Sequence, residues 1–231
     1  MKILSLAFLL LLNSLLFAAP QPGQLVTSGS STEKKLALSF DDGPGPWTER
    51  FLDLLDQYKV KATFFMEAEQ VGYRSKLAKM VAERGHEIGN HTLKHINYLK
   101  RSKDERRSIT EVKAELLEDM NKSRAIIERA TEIKLKICRM PHGVDRPWVR
   151  EVAKEAGFVL VNWTYGADWT QTSDEELEKS YVKAIQPGAI LLFHDGGKNR
   201  EKSLRLTAAV LKAAQEKGYK LTTVGELVGI E

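Results

Sequence analysis

The strongest constraint on this chain is an alternation that runs through most of its length: short β-type apolar runs, each followed by an amphipathic helical stretch. Strands are predicted at Lys35–Phe40, Ala62–Phe65, Glu87–Asn90, Lys136–Arg139, Phe158–Val161, Ala189–Phe193 and Lys220–Thr222. Helices are predicted around Thr48–Tyr58, Ser75–Arg84, Lys103–Arg129, Pro147–Ala156, Ser173–Ala184 and Lys202–Glu216. Gly85, Gly157 and Gly218 each follow a helix directly, where a left-handed C-terminal cap is wanted. Repeated strand–helix units give parallel strands covered by helices, hence an α/β fold. About seven parallel strands with outer helices approach a distorted (β/α) barrel; a doubly wound open sheet is the alternative.

The polar clusters decide between the two. Asp41, His91, Arg139, Asp168 and His194 all fall at or just beyond the C-terminal end of a predicted strand or β-rich segment. That is the face on which a barrel gathers its catalytic loops. A chain of 231 residues, 42% of them hydrophobic, can bury one sizeable core, so 34–231 is read as one domain.

The N-terminus reads differently. Lys2, the apolar run Ile3 to Phe17 and the small residues Ala18-Ala19 describe a secretory signal peptide over 1–18, so export to the periplasm, cell wall or medium is expected. The run is shorter than the roughly 20 apolar residues a bilayer span needs, and no stable membrane span is expected. Residues 19–33 are rich in Pro, Gly, Gln, Ser and Thr and read as a flexible linker. The formal charge of +4 comes without a clustered basic stripe, so nucleic acid is not an expected partner; a monomer is. The single cysteine, Cys138, excludes an intrachain disulfide and reads as a small buried hydrophobe.

Chemistry concentrates in five clusters. On a helix, His91 and His95 would share a face, so both imidazoles could reach one metal ion. A pair of surface histidines is the bland alternative, and the pair still needs an anionic ligand. Asp41-Asp42-Gly43-Pro44 offers one, although Asp, Gly and Pro also simply make turns. Adjacent carboxylates repel unless a cation or arginine compensates. With a metal nearby, one could coordinate while the other handles a proton.

Ser39-Phe-Asp-Asp-Gly-Pro44 and Gly85-His-Glu-Ile-Gly-Asn-His-Thr-Leu-Lys-His95 resemble the first two motifs of the polysaccharide deacetylase family (NodB homology, carbohydrate esterase family 4). Arg139-Met-Pro-His-Gly143, Asp168-Trp169 and Leu192-Phe-His194 are similar to the other three, in the family's order. The resemblance covers nearly the whole predicted domain and implies a NodB-like distorted barrel. It implies that Asp42, His91 and His95 hold one divalent metal ion, zinc or alternatively cobalt. Asp41 would then be the general base, paired with Arg139, and His194 the general acid, oriented by Asp168. Leu192 and Trp169 would wall the slot for the acetyl methyl, and the backbone N–H of His142 would help stabilise the oxyanion. The implied substrate is an N-acetylated glycan polymer, peptidoglycan N-acetylglucosamine first and chitin-type oligomers next.

Two positions depart from the family pattern: Met140 stands where proline is frequent and His142 where an aromatic residue is common. His86 reads as a structural hydrogen-bonding residue. Trp47, Trp148 and Trp163 have core or groove readings that sequence does not sort. Three other functions compete: hydrolysis of a non-sugar (cyclic) amide, a catalytically lapsed sugar-binding domain, and a non-haem iron oxygenase built on two histidines and a carboxylate. The last would leave Asp41, Arg139 and His194 without work.

Overall fold

The computed structural model describes residues 18–230. The expected signal peptide, apart from Ala18, lies outside the described residues. Among those described, one sheet contains β1 (Leu25–Val26), β2 (Lys35–Gly43), β3 (Thr63–Met66), β4 (Glu87–Asn90), β5 (Ile137–Cys138), β6 (Val159–Val161), β7 (Tyr165–Gly166), β8 (Ile190–His194) and β9 (Lys220–Thr222). The helices are α1 (Thr48–Gln57), α2 (Ala68–Tyr73), α3 (Ser75–Glu83), α4 (Tyr98–Arg101), α5 (Ile109–Thr131), α6 (Pro147–Glu155), α7 (Asp174–Lys183), α8 (Glu201–Glu216) and α9 (Val224–Val228). None of them is long and apolar enough to cross a membrane.

The strand order is β1-β6-β5-β4-β3-β2-β8-β7, all parallel, with β9 pairing the N-terminal half of β2. Strands β6 and β7 stand second and last in that order, yet only residues 162–164 separate them. So short a connection reaches about 14 Å. The sheet must therefore curl until its ends nearly meet. Asn162 N–H donates to Val26 O at 2.8 Å and Thr164 N–H to Ile190 O at 2.8 Å, on either side of the seam. The result is a distorted, incompletely closed barrel.

All seven expected strands are present. The segment 19–33, expected as a flexible linker, is corrected in part: Leu25 and Val26 pair with Leu160 and Val161, and Ser28 bridges Ala189. Its composition serves turns, such as the Gln24 N–H to Gln21 O bond at 3.0 Å.

Alternation along the strands sorts residues between two apolar clusters. On β2, Leu36, Leu38 and Phe40 face the helical layer, where they meet Phe51, Leu52 and Val210. Ala37 belongs to the barrel interior with Phe65, Ile137, Val159, Val161 and Ile190. Side chains two residues apart share a face, so Ser39 and Asp41 follow Ala37 inward. By the same count Leu192 and His194 follow Ile190 on β8, and His91 follows Gly89 at the end of β4. Gly89 has no side chain for a reason: a Cβ there would stand 2.5 Å from the Phe65 ring. Each large interior side chain such as Phe65 stabilises the fold by roughly 1.5–3 kcal/mol through burial.

The N-terminal end of the barrel is plugged. Val224 and Leu227 of α9 join the interior cluster, and Glu87 accepts the Gly225 N–H at 2.9 Å. Among the described residues the C-terminal end carries no such plug, and it is lined with polar side chains.

Candidate active site

Two carboxylates from one strand reach the same cavity because β2 breaks its own pleat. Neighbouring residues on a regular strand point to opposite faces. Between Asp41 and Gly43 the register with β3 shifts, and Asp42 adopts a left-handed φ of 69°. Both aspartates consequently line a cavity of about 320 Å³ together with His91, His95, Leu192 and His194.

Asp41 is 3% exposed and stands in register with His194 of β8. Its Oδ1 accepts from Arg139 Nη1 at 2.7 Å. Arg139 is wholly buried, and three further N–H groups go to Ser39 Oγ (2.9 Å), Val161 O (3.1 Å) and Asn162 O (3.2 Å). The guanidinium also lies 4.1 Å from the centre of the Phe65 ring. A buried cation with four of its five N–H groups bonded fixes the carboxylate it touches. Deleting either partner alone would leave a buried charge uncompensated, at a cost of about 3–5 kcal/mol.

His91 is equally buried. Its Nδ1 lies 2.7 Å from Arg139 O, an atom that only accepts, so in the neutral ring Nδ1 carries the proton and Nε2 the lone pair. That Nε2 is 3.4 Å from Asp42 Oδ1, and His95 Nε2 is 3.5 Å from the same oxygen. Asp42 Oδ1 is buried and has no hydrogen-bond partner. A bare carboxylate oxygen facing a bare imidazole nitrogen is repulsive unless a proton or a cation lies between them. The ligand atoms of Asp42, His91 and His95 all lie within 4.8 Å of one another, a nitrogen–oxygen donor set that fits a divalent cation. The protonation equilibria show the same demand. Burial alone would push His91 down, but Asp41 and Asp42 outweigh it and push it up to about 9. Asp42 resists its own burial and is held well below the usual carboxylate range by His91, His194 and His95.

The histidine pair corrects one expectation. His91 and His95 do not sit on a helix but flank a loop after β4, in which Thr92 and His95 have φ of 68° and 53°. The loop is tied down from below: Asn90 Oδ1 accepts the Thr92 N–H at 2.7 Å and Asp119 of α5 accepts the Leu93 N–H at 2.7 Å. Burial and the neighbouring His91 lower the His95 pKa, which leaves its lone pairs available.

Opposite this group, His194 Nδ1 bonds Asp168 Oδ1 at 2.8 Å, while the other carboxylate oxygen accepts from the His194 N–H and from Ser203 Oγ. Burial opposes charging of His194, but the bond to Asp168 wins and raises its pKa. With Nδ1–H directed to Asp168, Nε2 is left facing the cavity. Trp169 is half exposed at the rim, its ring edge-on to His194 at 5.2 Å, and Leu192 forms the floor. His142 stands exposed at the mouth with a φ of 59°, its ring 4.7 Å from that of His95. Every residue expected at the site from the motifs lines this cavity or bonds to one that does.

The polysaccharide deacetylase family model matches residues 28–161. The chain belongs to the polysaccharide deacetylase family. It is 37% identical over 202 residues to a peptidoglycan-N-acetylglucosamine deacetylase of Bacillus cereus, covering 86% of this chain and 90% of that one. It is 30% identical over 210 residues to a chitooligosaccharide deacetylase of a Bradyrhizobium species, covering 85% and 92%. Among solved structures, the peptidoglycan N-acetylglucosamine deacetylase Bc1960 superposes with a TM-score of 0.79 at 27% identity, over 91% of this chain and 94% of that one. BA3943 of Bacillus anthracis, a family 4 pseudoenzyme, superposes with a TM-score of 0.77 at 26% identity, over 90% and 70%. The protein is a polysaccharide deacetylase, and its fold is the family's barrel.

Several residues of this deacetylase site escaped sequence reasoning. Trp163, which the sequence left between core and groove readings, lines the cavity, meets Trp169 edge-on at 6.5 Å and also packs against the interior cluster. Asp195 is wholly buried and accepts from Thr48 Oγ1, while its own N–H donates to Asp41 O at 3.2 Å; it braces the turn that presents both aspartates. Arg200 lies 3.5 Å from Asp42 Oδ2, opposite the imidazoles. Of Asp195 and Arg200, only Asp195 carried a signal: a charge directly after a motif histidine at the end of an apolar strand.

Proposed function

We propose that this protein is an exported, divalent-metal-dependent deacetylase that removes N-acetyl groups from N-acetylglucosamine units, with peptidoglycan the first substrate and chitin-type oligomers the second. The observation that carries metal dependence is Asp42 Oδ1, buried, without a hydrogen bond, and flanked by His91 and His95 nitrogens at 3.4 and 3.5 Å. Those three residues would hold the ion, zinc by the character of the donors and cobalt as the alternative, and it would supply Lewis acidity toward a carbonyl oxygen and acidify water.

The remaining chemistry belongs to the chain. Asp41, held in place by Arg139, takes a proton from the attacking water as its oxygen bonds to the acetyl carbon. His194, charged with the help of Asp168, delivers a proton from Nε2 to the amide nitrogen as the C–N bond breaks. Acetate and a free amine leave. Leu192, Trp163 and Trp169 form an apolar wall suited to the acetyl methyl, and the His142 N–H is the proposed oxyanion donor. Export rests on the signal-like N-terminus, and the relatives named for peptidoglycan fit an enzyme that meets that polymer outside the membrane.

The test is acetate release from purified glycan with and without a chelator. Release is expected from the metal-loaded protein and not from the stripped one. Turnover that survives complete metal removal, and survives Asp41→Asn, overturns the mechanism.

A further inference from the structure

The two histidines of the proposed metal set are held in different ways. His91 follows β4 directly, and its ring is oriented by the contact of Nδ1 with Arg139 O at 2.7 Å. Among the described residues the His95 ring makes no hydrogen bond. Its neighbours are the Asp42 oxygen at 3.5 Å and, edge-on, the rings of His91 at 5.1 Å and His142 at 4.7 Å. Where His95 Nε2 stands is therefore set chiefly by the loop backbone. That backbone needs support, because Thr92 and His95 both hold a left-handed φ that residues with side chains adopt only where neighbours impose it.

Most of the support lies ahead of His95. Asn90 Oδ1 accepts the Thr92 N–H, and the first amides of α2, those of Ala68 and Glu69, donate to Thr92 O and Leu93 O at 3.0 Å each. Among the described residues Asp119, from the middle of α5, is the one side chain bonded on both sides of His95. Its Oδ1 accepts the Leu93 N–H at 2.7 Å and its Oδ2 accepts from the Tyr98 hydroxyl at 2.8 Å. Helix packing gives no reason for an acid here. Asp119 is 6% exposed on the buried face of α5, alongside Leu116, Met120 and Ile127, and no ion pair reaches it among the described residues. A carboxylate withdrawn from water without a cation is costly, and an apolar side chain would not be. Both its oxygens are instead taken by the loop.

We propose that Asp119 is a positioning residue for the metal site, which holds His95 Nε2 beside Asp42 Oδ1 by closing the loop on both sides of it. This rests on the metal-dependent reading given above. Asp119 does not line the catalytic cavity. It acts through His95, and so governs how tightly the ion is held rather than how fast the loaded enzyme turns over.

The experiment measures zinc dissociation constants of the full chain by competition with a chromophoric chelator, together with urea midpoints. Asp119→Ala is expected to weaken zinc by about tenfold to a hundredfold, as loss of an outer partner of a ligand does. At saturating zinc its kcat should be retained. Asp119→Asn keeps an oxygen for Leu93 and an N–H for the phenol oxygen, and should return the affinity to within about threefold of the natural protein. Ile127→Val, about two turns further along α5, should lower the urea midpoint through packing and leave zinc affinity unchanged. Natural affinity in Asp119→Ala, or an equal loss in Ile127→Val, overturns the proposal. Should the alanine variant not fold, Tyr98→Phe removes one of the two bonds and keeps the ring; zinc should weaken severalfold, and unchanged affinity overturns the proposal. If the natural protein binds no zinc, the metal-dependent reading fails separately. Amide hydrogen exchange of the metal-free chain then decides: faster exchange over 93–97 is expected in Asp119→Ala or Tyr98→Phe, and rates equal to those of the natural protein overturn the proposal.

Discussion

His86 and His91 stand at the two ends of strand β4, five residues apart and almost equally buried, at 4% and 2% exposure. Their chemistry is opposite. At the N-terminal end His86 Nδ1 accepts the Ala62 N–H at 3.2 Å and its ring lies edge-on to Phe64 at 5.3 Å. Burial, with Lys61 nearby, pushes it down to about 4, and it stays neutral. At the C-terminal end two aspartates overcome the same burial and push His91 up to about 9. The comparison separates burial from function: a packed imidazole is ordinary, whereas one packed against unpartnered carboxylate oxygen calls for a cation.

The sharpest way to break this contrast is to remove each ring in turn. His91→Ala should lower acetate release by more than about a thousandfold, since it removes a proposed metal ligand. Bound metal, read by atomic spectroscopy, should fall below one per chain. His86→Phe, at the other end of the strand, should leave kcat within about twofold, as no reacting group touches it. Equal losses from the two variants would dissolve the distinction.

Next in size is Asp41→Asn, expected to cut kcat by about a hundredfold to ten-thousandfold through loss of the base. Urea unfolding should also show lower stability, because Arg139 is left buried beside a neutral amide.

Asp168→Asn tests the opposite wall. Asp168 raises the His194 pKa, and the proposed acid works protonated. Without the carboxylate His194 loses its proton at lower pH, so the alkaline limb of kcat/KM should move downward in pH. An unmoved limb would assign it to another group.

The smallest effect concerns stability alone. The folded pKa of His86 lies below the unfolded value of about 6.5. Its contribution is therefore complete above about pH 6.5 and is lost as pH falls through about 4, up to about 3 kcal/mol in all. Urea midpoints should decline over that window, and His86→Phe should flatten the decline.

Much of this was legible in the sequence, for physical reasons. The seven expected strands lie in apolar runs long enough to announce themselves, although β5 itself pairs over only two residues, and the alternation on β2 and β8 fixes which side Asp41 and His194 face. Strands β1 and β7 are two residues each and exist through tertiary pairing, which no local pattern encodes. The spacing of His91 and His95 imitates a helical turn. Asn90 and Asp119 instead hold the chain through two left-handed residues, and Asp119 is distant in sequence. Trp163, Ser203 and Arg200 join the site through loop and helix placement, so composition alone could not single them out.

The most direct measurement of the central claim is calorimetric titration of zinc into chelator-stripped protein, alongside Asp42→Asn and His95→Ala. One site per chain is expected in the natural protein, with affinity lost or greatly weakened in both variants. Zinc that binds all three proteins alike, or none of them while acetate release continues, would contradict it.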